Sequence, residues 1–70
     1  MPLMIAPKNE LLKIVKILLD EKTKKHLESL GITINSNLTL LDSSSGSVIL
    51  VVKDGRLALD NEIARRIFVV

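Results

Sequence analysis

One imidazole, no thiol and a short run of hydroxyls are all that this chain offers toward nucleophilic or metal chemistry. The imidazole is His26, in KKHLESLG. A metal reading would pair it with Glu28, but residues two apart do not share a helix face, whereas residues three or four apart do. His26 therefore reads as a solvated helix-surface residue. The hydroxyl run, Ser43-Ser44-Ser45-Gly46-Ser47, lacks the G-x-x-x-x-G-K-[ST] frame and has no lysine after its glycine, so it is a loop and not a phosphate cradle. A divalent cation would also accept oxygen ligands, but Asp42, Asp54 and Asp60 are accounted for by turns and caps. One His, no Cys and scattered Ser do not supply a nucleophile, a base and an orienting group. The expectation is a chain that is not an enzyme and that carries no catalytic, cofactor-binding or metal-ligating residue.

What remains is surface charge. Lys and Arg number 10 against 8 Asp and Glu, a formal net charge of +2. Lys22, Lys24 and Lys25 are interrupted by Glu21 and Glu28, whereas salt-sensitive phosphate binding needs several unopposed cations along a backbone. The single aromatic, Phe68, is expected to be buried and offers no platform for stacked bases, so nucleic acid is not the expected partner. Lys22, Lys24, Lys25 and His26 instead form a candidate partner surface, which Arg65 and Arg66 would extend.

Those residues need a scaffold, and its size is bounded. A chain of 70 residues with 47% hydrophobic content makes one domain around one small core of Leu, Ile and Val. Without Cys there is no disulfide framework, which suits a reducing compartment. MPLMIAPKNE has neither a basic leader nor a long apolar run, and no stretch approaches about 18 apolar residues. A soluble, cytoplasmic protein without membrane insertion is expected.

Along the chain, Pro2 to Ala6 reads as an extended lead-in closed by Pro7. LLKIVKILL, Leu11 to Leu19, has lysines three apart and a β-branched centre, which suggests a strand with a bulge or strong bend. Asp20 is a good N-cap, Glu21 suits the first turn and an ion pair with Lys25, and Gly31 can take the left-handed position after a helix of about ten residues. The apolar face of that helix is Leu27 and Leu30 beneath Thr23, enough to cover one end of a sheet. Asn37 to Asp42 and Ser47 to Lys53 read as strands, the second as a continuous apolar run buried on both faces. Asp54-Gly55 signals a two-residue hairpin turn between Lys53 and Arg56, followed by the return strand RLAL. Asp60 would then cap a helical turn at Asn61 to Arg66 before IFVV ends the chain as a strand. Leu27, Leu30, Ile49, Val51, Leu57 and Ile67 are the core candidates. The fold class is mostly β: a small, strongly bent barrel of about five strands with one short α-helix and a short helical turn before the last strand. An exposed edge at Ser47 to Lys53 would permit self-association.

This order of elements, with HLESLGI and GRLALDNEIARRIFV at its joints, resembles the FeoA family of small SH3-like proteins associated with ferrous-iron uptake. Leu27, Leu30, Gly31 and Ile32 carry the first motif, and Gly55, Leu57, Leu59, Ala64, Ile67 and Val69 the second; Glu10, Ile14 and Ile17 suit the first strand. Leu27, Leu30, Gly31, Gly55 and Ala64 are its fold signature here. Asn9 stands where the family usually has glycine, Ser36-Asn37 replaces a glycine turn, His26 takes an arginine position, and the serine run replaces a Pro-Leu-Gly-Asp-Pro type of loop. Asn tolerates left-handed backbone, and Ser and Gly make adequate turns, so the fold is not endangered. The resemblance implies one domain over residues 1–70, a non-enzymatic accessory role, a connection to transition-metal transport, and docking on the cytosolic side of a FeoB-type transporter to affect its assembly, gating or GTP turnover. The alternative it leaves open is an SH3-like regulatory or peptide-binding domain related to the C-terminal domain of DtxR-type iron-dependent repressors.

Overall fold

The computed structural model describes residues 1–44, 46–53 and 55–70. After a 3₁₀ turn at Leu3–Ile5 come β1 (Leu11–Ile17), α1 (Glu21–Ser29), β2 (Asn37–Ser43), β3 (Ser47–Val52), β4 (Gly55–Asp60), α2 (Asn61–Ala64) and β5 (Ile67–Val69). The strands form one five-stranded antiparallel sheet in the order β4-β3-β2-β1-β5. Among the described residues no ladder joins β4 to β5; the helical turn α2 carries the chain between them.

β1 carries a bulge. Its first half pairs with β2 through Leu11↔Thr39, Leu12↔Leu38 and Lys13↔Asn37, and its second half pairs with β5 through Ile14↔Val69, Lys16↔Phe68 and Ile17↔Ile67. The register slips between Ile14 and Lys16, so Val15 is the extra residue of a bulge, as the lysine spacing suggested. On the β2 side, the Ile14 amide donates to the Ser36 carbonyl at 2.9 Å and its carbonyl accepts from the Asn35 amide at 2.8 Å. Asn35 reaches this position with φ +73° and Asn9 turns the chain into β1 with φ +63°. The left-handed role expected of Asn9 is thus filled, while in the second turn it falls to Asn35 and not to Ser36-Asn37.

The helix follows its sequence signals. The Asp20 carboxylate accepts from the Thr23 amide at 3.3 Å. At the other end Gly31 has φ +93°, its amide donates to the Glu28 carbonyl at 3.0 Å, and the Ile32 amide donates to the Leu27 carbonyl at 2.9 Å. That pair of bonds is a Schellman motif, and the apolar residues at its two ends, Leu27 and Ile32, are both fully buried.

Several expectations need correction. Pro2 to Ala6 is not extended: Ile5 and Ala6 donate to the Pro2 and Leu3 carbonyls, and the resulting turn places Leu3 in the core. β3 is not buried on both faces, for its burial alternates, with Val48, Leu50 and Val52 inside and Ile49 and Val51 half-exposed on the outer face. An unbroken apolar run hides the parity that strand geometry imposes. Leu30 and Leu57 are likewise only partly buried, packed against the core and not within it. β3 is also no edge, since β2 and β4 flank it. α2 stops at Ala64, two residues short of the expected end, and Asp60 stands at its N-cap position without a side-chain capping bond. The turn type assigned to Asp54-Gly55 involves a residue outside those described, but the register pairs Val52 with Gly55, so Lys53 and Arg56 are not opposed as that turn would have them. The serine run likewise includes Ser45, outside the described residues.

Parity in β3 has an energetic consequence. Leu50→Ala, at a fully buried site, is expected to cost about 3 kcal/mol. Val51→Ala, on the half-exposed face, should cost about 1 kcal/mol. Urea unfolding of the two variants distinguishes this parity from the reverse.

Candidate functional site

The candidate partner residues divide by helix geometry. Lys22, Lys25 and His26 stand three and four apart, share one face of α1 and are all exposed. Lys24 lies on another side, its ammonium 3.9 Å from the Glu21 carboxylate, and both line a shallow cleft of about 220 Å³ with Glu28, Ile17 and the exposed Ile34. The ion pair expected between Glu21 and Lys25 is therefore made with Lys24, one residue earlier. Arg65 is engaged by Glu62 at 3.5 Å, within α2 and its cap. Arg66 is brought toward the α1 end of β1, because its carbonyl accepts from the Leu18 amide at 2.9 Å. The fold thus joins Lys22, Lys25 and His26, brings Arg66 near the entry to their helix, and ties Lys24 and Arg65 to local carboxylates.

Two features went unread in the sequence. Lys16 and Phe68 are register partners across β1 and β5, with the ammonium 5.9 Å from the ring centroid. Phe68 is half-buried, not buried as expected, and it serves as a ledge for a cation. The second feature is an open cleft of about 540 Å³ where β1, β2 and β3 meet the end of α1. Leu11, Leu38, Val51 and Val52 give it an apolar floor, while Thr39 and Lys53 supply polar atoms. Leu11 is 74% exposed. Neither feature follows from local spacing, because each depends on which strands become neighbours.

Among the described residues no three His, Asp or Glu side chains come together as a metal site, and no polar or charged residue is buried. His26 is exposed on the helix surface. No helix of the described residues is long and apolar enough to cross a membrane.

Five antiparallel strands, a capped α-helix and a helical turn before the last strand define a small SH3-like domain whose chemistry lies on its surface. The family described as the FeoA domain matches residues 1–70, and the chain belongs to that family. A similar solved structure is a crystal structure of an iron uptake regulatory protein (FeoA), 26% identical, with a TM-score of 0.86 over 99% of this chain and 93% of that one. No curated protein matches.

Two measurements probe how the site is held. Hydrogen bonding from the Thr23 side chain, opposed by desolvation and aided by the backbone amides of Thr23 and Asp20, lowers the Asp20 carboxyl below its ordinary value of 3.8. A depressed carboxyl contributes stability that is fully present above the unfolded value and is lost as pH falls through the folded one. The destabilisation caused by Asp20→Ala should therefore be full at neutral pH and shrink below 3.8 in pH-resolved urea titrations. Separately, a double-mutant cycle between Lys16→Ala and Phe68→Leu should give a coupling of about 0.5 kcal/mol, the scale of an exposed cation–π contact.

Proposed function

We propose that this chain is a non-enzymatic, cytoplasmic accessory protein of ferrous-iron uptake that docks on the cytosolic side of a FeoB-type transporter and modulates its assembly, gating or GTP turnover. Family membership over residues 1–70 is the observation that carries this reading. It supports a role in iron uptake, and the similarity to an iron uptake regulatory protein agrees with it. The side chains add a physical rationale for docking. Lys22, Lys25 and His26 form an exposed polar face on a helix whose other side is anchored by Leu27. A surface of that kind contributes charge complementarity and encounter rate without disturbing the fold. The open cleft between β1 and β3 offers apolar area that a partner side chain could fill.

The test is recovery of a FeoB-type transporter from native membranes by the tagged protein, alongside a Lys22→Glu/Lys25→Glu variant. Those positions are chosen because Lys24 is already paired with Glu21. The wild type should recover the transporter, and the variant about tenfold less, at an unchanged thermal midpoint. Equal recovery by both would move the contact off the helix. No recovery by the wild type, with GTP analogue and ferrous iron supplied, would defeat the docking reading.

A further inference from the structure

An open end of a β-sheet presents backbone groups without a ladder partner, which makes it the natural place for another strand to add. The ends of this sheet are β5 and β4. The chain covers β5 itself: Pro2 bridges Phe68, the Val69 amide donates to the Met1 carbonyl at 2.8 Å, and the Met1 ammonium donates to the Val69 carbonyl at 2.8 Å. Among the described residues β4 has no such cover. It pairs with β3 alone, and among the described residues no further backbone bond reaches it.

The residues of that free strand are self-complementary. Arg56, Ala58 and Asp60 all project to the exposed side, while Leu59 is buried and Leu57 half-buried. Among the described residues neither Arg56 nor Asp60 belongs to an ion pair, and Asp60 makes no side-chain bond to the helical turn it precedes. Two positions of opposite charge thus flank a small residue at equal distances along an uncovered edge.

We propose that β4 pairs antiparallel with β4 of a second copy of this chain about a twofold axis at Ala58. In that register Arg56 of each copy lies opposite Asp60 of the other, the reciprocal arrangement a twofold interface requires. Directly opposed side chains in an antiparallel pair have Cβ atoms about 5 Å apart, close enough for both ion pairs to form. Moving the axis to Leu57 or Leu59 would set Arg56 or Asp60 opposite Ala58 and lose both pairs, so the charges select the register. Ala58 puts little bulk at the axis. Its neighbour across the ladder is the half-exposed Ile49, so the central row is apolar and the ion pairs bracket it. One short ladder buries less than the roughly 1,200 Å² of a standard stable interface. The dimer is therefore reversible and dependent on concentration.

Sedimentation equilibrium of the full chain, from micromolar to millimolar concentration, tests this directly. The weight-average mass of the wild type should rise from 7.7 kDa toward twice that value. R56D alone and D60R alone each bring like charges face to face and should weaken association about tenfold or more. The combined R56D/D60R exchange restores opposite charges and should restore association. Circular dichroism of each variant verifies that these exposed substitutions leave the fold intact. A wild type that stays monomeric throughout, single variants that associate as strongly as the wild type, or a double variant as weak as the singles would each overturn the proposal.

Discussion

The bulge at Val15 is the constraint on which the rest of this domain depends. β1 serves two ladders, with β2 along one edge and β5 along the other, and the residue that leaves the register in the β5 ladder bends the strand between them. Because Ile14 precedes the slip, its side chain stays in the core while its backbone is held by Asn35 and Ser36 on the side where β2 has not yet begun. Val15, displaced by the slip, is exposed. The two halves of the sheet can then fold toward each other over a core of small aliphatic side chains. With one aromatic in 70 residues, and that one only half-buried, the core is assembled from Leu, Ile, Val and Ala.

The helix is subordinate to that bend. It leaves β1 through Asp20 and returns to the sheet through Gly31, so its course is set by two capping residues more than by its own apolar face. Leu27 alone of its side chains is buried, and Leu30 packs at the margin. Terminal hydrogen bonds thus do much of what a wider apolar stripe does in longer helices. This leaves Lys22, Lys25 and His26 exposed and outside the core, so their identities are not dictated by packing.

What the sequence disclosed and what it withheld divide along the same line. Asp20, Gly31, Asn9 and the β-branched centre of β1 act through their own backbone neighbourhood, and each was legible from residue type and spacing. Ile49 and Val51 were misplaced because an apolar run has no visible parity; only pairing with β2 and β4 decides which residues face inward. The same limit hid the Lys16–Phe68 contact and the cleft beside Leu11, which exist only once β1 has neighbours. Among the candidate site residues, the helix positions were nominated from their types alone, but the ion pairs that engage Lys24 and Arg65 depend on rotation about a helix axis and on the ends of short elements.

The distribution of polarity completes the argument. Among the described residues the core contains no polar or charged side chain, so its packing constrains the chemistry of the surface very little. The outer residues of β4 illustrate this: Arg56, Ala58 and Asp60 contribute nothing to the core, and their alternation sets the charge pattern at one end of the sheet. At the opposite end of the sheet, Met1 and Pro2 meet the corresponding need by covering β5 with the chain's own backbone. A domain with one protected end and one open end is asymmetric in its available contacts. Pairing through the open end engages β4, whereas the cationic face lies on α1, a separate element. The proposed self-association through β4 and the proposed docking through α1 thus use different elements, and substitutions in β4 and α1 test one without the other.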